Sequence, residues 1–181
     1  MTAFLILTAI GKDRPGLVSA LSEEIATHGG NWLESRMARL AGEFAGIVRV
    51  SVPAANAEAL VAALRGLEAR GLRVTVERGA GEMPAGVRRA FKLALMGQDH
   101  PGIIRDVTHA LAAQGVNIEE LTTEIESGSM SGTALFRASA RLSAPAQVKA
   151  AELRESLERL AGDLMVEIAL DEAPAASEGG R

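Results

Sequence analysis

The chain has 181 residues, enough for two small domains, and its 48% hydrophobic and 23% charged residues are typical of a globular protein. Its formal net charge of −4 disfavours direct nucleic-acid binding, because no basic excess is left to neutralise phosphates. The absence of cysteine excludes disulfides, thiolate metal sites and a cysteine nucleophile. The apolar N-terminus is short and lacks the basic start of a signal peptide, and no run reaches the roughly 20 apolar residues of a membrane span. We therefore expect a cytoplasmic protein that does not contact a membrane.

The first half of the chain predicts a strand, a helix, a hairpin, a second helix and a closing strand. The strands are expected at Ala3–Ile10, Trp32–Ala41, Ala45–Val52 and Leu72–Glu77. The helices carry apolar stripes at Leu17, Val18, Leu21 and Ile25, and at Leu60, Val61, Leu64 and Leu67. Pro15 suits the first turn of the first helix, because the missing N–H would be unpaired there anyway. Gly29 and Gly30 end that helix, since glycine tolerates the left-handed cap conformation.

The second half of the chain repeats the first. The segment Gly11–Val18 aligns with Gly97–Ile104, and the same register carries Gly29 to Gly115 and Asn31 to Asn117. The second set of strands is predicted at Ala90–Met96, Val116–Glu126, Thr133–Leu142 and Leu164–Leu170. Strand, helix, strand, strand, helix, strand is the order of a ferredoxin-like βαββαβ unit. The sequence therefore predicts an α+β fold made of two such modules in tandem.

The module boundaries follow from composition. Residues 1–79 form the first module, 80–89 a glycine-rich linker, 90–170 the second module and 171–181 a disordered tail. In each predicted module the helices cover one sheet face only, yet the first strand is apolar on both faces. We expect another module or a second chain to cover the open faces or edges, and hence a homodimer.

The repeated turn after the first strand is the candidate ligand site. Unpaired N–H groups at a helix start attract a carboxylate, and Gly16 lets a ligand approach the backbone. Asp13 supplies a negative charge for an ammonium group, and Asn31 offers both a donor and an acceptor. These groups together suit a free α-amino acid. A structural interpretation stays open on spacing alone, because such an aspartate often only caps a helix and such an asparagine often only closes a turn.

At this turn the sequence resembles the ACT domain family, small regulatory modules that bind amino acids. The resemblance covers Ala3–Glu77 and Phe91–Leu170, and the two-module arrangement is similar to that of the glycine cleavage system repressor group. It implies ligand positions at Asp13 and Asn31, or at Asp99 and Asn117, and a site that commonly lies between modules. The second copy differs in having His100 where the first has Arg14. The full candidate set is Asp13, Arg14, Gly16, Asn31, Asp99, His100, Gly102 and Asn117.

No other motif points to chemistry. The three histidines are not spaced with carboxylates as metal ligands are, so we expect no metal. The sequence shows no Ser/His/Asp set, paired carboxylates or dinucleotide fingerprint, so we expect no catalytic residue and no cofactor. By resemblance, the protein binds a small amino acid, with glycine or serine expected. It would then regulate amino-acid or one-carbon metabolism through a transcription factor or an enzyme partner, without contacting nucleic acid itself. Two alternatives stay open: a dimeric interaction module or enzyme subunit that senses nothing, and a small enzyme that uses the turn aspartate and His100.

Overall fold

The computed structural model describes residues 1–79, 88–127 and 134–173. The chain divides into two compact units, Met1–Met83 and Pro84–Arg181, which we call module one and module two. The predicted linker residues 80–87, the tail residues 174–181 and nearly all of the predicted serine- and glycine-rich hairpin turn lie outside the described residues. No helix within the described ranges is both long and apolar enough to cross a membrane.

Module one has the predicted order of elements. These are β1 (Thr2–Lys12), α1 (Leu17–Thr27), β2 (Asn31–Leu40), β3 (Glu43–Pro53), α2 (Ala57–Gly66) and β4 (Leu72–Arg78). Short 3-10 turns at Ala54–Asn56 and Leu67–Arg70 flank α2. The strands form an antiparallel sheet in the order β2-β3-β1-β4, so β1 lies inside the sheet and β2 at its edge.

Module two repeats this topology. Its elements are β5 (Arg88–Gln98), α3 (Ile103–Ala113), β6 (Asn117–Ser127), β7 (Ala134–Pro145), α4 (Ala150–Leu164) and β8 (Val166–Ala173). The sheet order is β6-β7-β5-β8, again with antiparallel neighbours. The two sheets with their helices confirm the prediction of an α+β fold with tandem ferredoxin-like modules.

Each module has a core of its own, built mainly from aliphatic side chains. In module one, Leu5 and Leu7 of β1 are almost fully buried and belong to the same cluster as Leu21 of α1 and Leu60 of α2. Burying each such leucine contributes about 1.5–3 kcal/mol. The alternate residues of the strands point to the other face of the sheet, where Ile47 is 55% exposed. Ile47 therefore lies outside the core of module one.

The strands extend further than the apolar runs that predict them. β1 continues through Gly11 to Lys12, and β5 begins at Arg88, inside the predicted linker. β8 continues to Ala173, inside the predicted tail, where it pairs with Ala90. These boundaries differ from the prediction because strand pairing is made by the backbone, so polar residues at strand ends pair as well as apolar ones do.

The start of the first helix in each module also differs from the prediction. Pro15 does not lie in the first turn of α1, which begins at Leu17 after the N-cap residue Gly16. Gly16 has φ 92° and ψ −2°, and Gly102 has φ 104° and ψ −13°. These are the values of the third residue of a type II turn, which favours glycine there and proline just before it. The repeated Pro-Gly pair therefore makes a turn whose glycine is the N-cap of the helix, with the proline outside the helix.

Candidate functional site

In module one the candidate aspartate is held at the end of the β2–β3 hairpin. The N–H of Asp13 donates to the carbonyl oxygen of Gly42 at 2.9 Å, and its carboxylate lies 2.8 Å from Nε of Arg39. Asp13 is three residues before the N-cap, so the simple capping interpretation does not describe it. The Arg39 side chain is 69% exposed. Exposed ion pairs are weak, so another cation can replace this guanidinium at modest cost.

The start of α1 offers backbone donors next to open space. The first intrahelical hydrogen bond runs from the N–H of Ala20 to the carbonyl oxygen of Gly16 at 2.9 Å, so the N–H groups before Ala20 have no partner within the helix. A Cβ added to Gly16 would meet nothing within 4 Å. In module two a Cβ on Gly102 would lie 3.1 Å from the guanidinium of Arg105. The turn of module one is therefore the more accessible of the two.

A cavity of about 420 Å³ lies elsewhere, on the open sheet face of module two, but one of about 370 Å³ adjoins the turn of module one. We favour the smaller cavity as the candidate site because it includes the turn itself. Its lining residues are Arg14, Pro15, Gly16, Leu17, Ala20, Leu67, Ala69, Arg70 and Leu72. Two guanidinium groups at a helix N-terminus suit an anion such as a carboxylate. Asp13 lies beside this cavity in sequence but does not line it.

In module two His100 reaches across to the second helix. Its Nε2 lies 2.9 Å from the carbonyl oxygen of Leu164, and its Nδ1 lies 3.3 Å from that of Pro101. The hydrogen bond to Leu164, and then that to Pro101, raise the pKa of the imidazole, and the charges of Asp99 and Asp106 add to the effect against some desolvation. The N–H of Asp99 donates to the carbonyl oxygen of Ala134 at 2.9 Å, as that of Asp13 does to Gly42.

The two asparagines do not lie near the turns of their own modules. Asn31 pairs with Ser51, which pairs with Phe4 near the start of β1, whereas Asp13 follows the end of β1. At about 3.3 Å per residue, Asn31 and Asp13 are separated by roughly 30 Å along the sheet. In module two Asn117 is in the same way level with Ala90, at the opposite end of β5 from Asp99. One module alone therefore does not bring its aspartate and asparagine to one ligand.

Sequence reasoning missed two arginines at the turn of module one. Neither Arg39 in β2 nor Arg70 in the 3-10 turn after α2 is in the candidate set. The first is brought to Asp13 by the hairpin, and the second lines the cavity at Gly16. The hairpin pairing was predictable, but the direction of a long exposed side chain was not. Among the described residues no three histidine, aspartate or glutamate side chains are grouped as metal ligands are.

Comparisons with known proteins agree with this architecture. Residues 3–77 match the ACT domain family. The glycine cleavage system transcriptional repressors of Escherichia coli (strain K12) and Shigella flexneri are each 30% identical to this chain over 167 residues, which is 89% of this chain and 85% of theirs. A crystal structure of an unknown protein from Galdieria sulphuraria is 32% identical, with a TM-score of 0.86 over 96% of this chain and 100% of that one. The chain therefore belongs to the ACT domain family, as a tandem ACT protein related to the glycine cleavage system transcriptional repressors.

Proposed function

We propose that this protein is a regulator that binds a small amino acid, glycine or serine, at the turn after the first strand of a module. The observation that carries the proposal is the repetition of one turn geometry. Gly16 and Gly102 share the left-handed conformation, and each follows an aspartate and a proline at the start of a helix. A turn that only reversed the chain would need the proline and the glycine but would not need the acidic residue in both copies.

The residues of module one suggest how each end of the ligand is held. The ligand carboxylate lies at the start of α1, where free N–H groups and the guanidinium of Arg14 attract it. The ligand ammonium replaces Arg39 as the partner of the Asp13 carboxylate. Binding then favours one of two arrangements of the protein. The free energy of this shift equals the difference between the ligand's binding free energies for the two arrangements.

An asparagine at the ligand has to come from a different module, because Asn31 is roughly 30 Å from Asp13 at about 3.3 Å per residue. A second protomer can supply one, and we therefore include a homodimer in the proposal. The exposed apolar side chains on the sheet face of module one, such as Ile10 and Ile47, also favour association.

The output we propose is control of amino-acid or one-carbon metabolism, including the glycine cleavage system, through a protein partner. The names of the curated relatives support regulation over catalysis. A transcription factor or an enzyme of the pathway, in the cytoplasm, is the expected partner. The net charge of −4 favours a protein partner over direct contact with nucleic acid.

Thermal unfolding of the full chain with each of the twenty amino acids tests the sensing step. Glycine or serine is expected to raise the midpoint, since a ligand at 100 times its dissociation constant adds about 2.7 kcal/mol. Calorimetry on Asp13→Asn and Asp99→Asn then shows which module binds, because each variant removes one charge. Glu58→Gln is the matched control, since Glu58 also pairs with an exposed arginine, Arg78, but is not part of the turn. The proposal fails if no amino acid at millimolar concentration moves the midpoint.

The second candidate is an interaction module that senses nothing. The observation in its favour is the set of exposed apolar side chains in module one, where Leu40 is 79% and Ile47 is 55% exposed. Sedimentation of the parent and of Ile47→Glu distinguishes the two candidate functions. A dimer that dissociates in the variant, together with no response to any amino acid, would favour the second candidate.

A further inference from the structure

A contact that the proposed binding step does not use joins His100 to the end of α4. Its two ring nitrogens face two backbone acceptors, the carbonyl oxygen of Leu164 at 2.9 Å and that of Pro101 at 3.3 Å. Leu164 is the last residue of α4, and the last carbonyl groups of a helix have no donor within it. His100 therefore supplies a donor from the turn to a helix end that needs one.

The number of protons on the ring decides how many of these contacts are hydrogen bonds. Neutral imidazole has one N–H and can donate to one carbonyl only, whereas imidazolium donates to both. A cation is also favoured at the C-terminal end of a helix, where the helix dipole is negative. The arrangement thus fits the protonated ring better than the neutral one.

We propose that His100 is a positioning residue, a proton-dependent clasp that holds the turn between β5 and α3 against the end of α4. The clasp makes two hydrogen bonds when the ring is protonated and one when it is neutral. The inference rests on the proposed function only in that it takes this turn as a ligand-binding site. The clasp itself is a property of the free protein.

Module one has an arginine at the equivalent position of its turn. Arg14 occupies the position of His100, and its guanidinium lies 3.5 Å from where a Cβ on Gly71 would be. Gly71 precedes β4 as Met165 precedes β8, so both side chains reach the same place in their modules. Arginine stays protonated throughout the physiological range. The two turns therefore differ in their response to pH although they share a fold.

Two carboxylates near His100 favour the protonated ring. The charged or titratable residues nearest in sequence to the contact are Asp99 in the turn, Arg105, Asp106 and His109 in α3, and Asp163 and Glu167 on either side of Leu164. The carboxylates of Asp99 and Asp106 both favour imidazolium, and Arg105 is held by Asp106 at 2.7 Å. Since the pKa of His100 is raised from 6.5, the clasp stabilises module two fully below that pH. The stabilisation is lost as the pH rises through the pKa of the folded protein.

The test uses the full chain without ligand, so its failure is distinct from failure of the proposed function. Long-range ¹H–¹⁵N spectra follow the ring of His100 with pH, with His28 and His109 as references in the same sample. Thermal unfolding is measured at about pH 5.5 and pH 8, on either side of the usual histidine range. His100→Gln keeps a neutral N–H donor group that cannot titrate, and His100→Arg copies Arg14.

We expect the His100 midpoint to lie above 6.5. The parent should unfold at a higher temperature than His100→Gln at the lower pH, and this advantage should shrink at the higher pH. His100→Arg should keep the advantage at both. A midpoint at or below 6.5, or an advantage of the parent that is equal at both pH values, overturns the proposal.

Discussion

The carbonyl oxygen of Gly71 lies where a side chain on Gly11 would begin, because a Cβ added to Gly11 would be only 2.2 Å from it. Gly11 pairs with Leu72 across β1 and β4, so the collision is with the backbone of the neighbouring chain segment. Either the strand or the loop has to move to admit a methyl group. We expect Gly11→Ala to lower the free energy of unfolding of module one by about 1–3 kcal/mol, as over-packed positions do. Urea unfolding measures the loss.

Gly66 provides the control for this substitution. It lies in α2 with φ −61°, and an added Cβ would meet nothing within 4 Å. Gly66→Ala should therefore raise the free energy of unfolding by about 0.5–1 kcal/mol, the usual advantage of alanine in a helix. Equal effects of the two substitutions would show that the close approach at Gly11 does not affect the free energy of unfolding.

The left-handed residues before β4 and β8 give a second prediction. Gly71 has φ 74° and Met165 has φ 52°, so the same conformation is held by glycine in one module and by methionine in the other. Gly71→Ala should cost about 1–2 kcal/mol, the usual cost of this conformation for a residue with a Cβ. Met165→Gly removes that cost while adding chain entropy to the unfolded state, so its net gain should not exceed about 1 kcal/mol. Chemical unfolding of both variants checks the opposite signs.

The ion pair between Asp13 and Arg39 supports a third prediction. Because the pair is exposed, Arg39→Ala should change the free energy of unfolding by less than about 1 kcal/mol. If the ligand ammonium replaces Arg39, the same variant should bind glycine or serine more tightly than the parent does. Calorimetry compares the two dissociation constants, with Arg73→Ala as a control that breaks a separate exposed pair with Glu68. Weaker binding by Arg39→Ala would mean that the guanidinium contacts the ligand and does not compete with it.

Much of the fold was predictable because both halves of the sequence show the same pattern of strands and helices. Alternation shows that β1 is apolar on both faces but not which face is buried, and the structure buries Leu5 and Leu7. The predicted stripe of α1 is confirmed at Leu17, Leu21 and Ile25 and is wrong at Val18, which is 44% exposed. The helix start was wrong because proline is common both in a first helical turn and before the glycine of a type II turn. The φ of Gly16 decides between them, and a single sequence does not contain it.

The candidate site was predictable only at its turn. A sequence shows that Asp13 and Asn31 recur together, but the pairing of Asn31 with Ser51 is what places them at opposite ends of the sheet. The contact of His100 with Leu164 could not be predicted from the sequence for a similar reason. The two residues meet because β5 and β8 are neighbours, and the end of α4 leads directly into β8.

The last prediction concerns Asp106, which lies in the first turn of α3. Its carboxylate makes two contacts with the guanidinium of Arg105, at 2.7 and 3.1 Å. The hydrogen bond to Arg105 is the main reason that the pKa of Asp106 is lowered, with smaller contributions from the charges of Arg105, His109 and His100 against some desolvation. A lowered pKa in the folded state means that the pair stabilises module two above the ordinary aspartate range. The stabilisation is lost as the pH falls through the lowered value.

Carboxyl ¹³C spectra across the acid range measure this titration directly. Arg105→Ala should move the Asp106 midpoint upward, towards the ordinary value for aspartate, because the largest cause of the shift is removed. Arg154→Ala is the control, since Arg154 donates to the carbonyl oxygen of Leu170 and not to a carboxylate. If the midpoint stays low without Arg105, the arginine is not the main cause of the shift. The start of α3, as the positive end of a helix dipole, or the charges of His109 and His100 would then keep the carboxylate ionised.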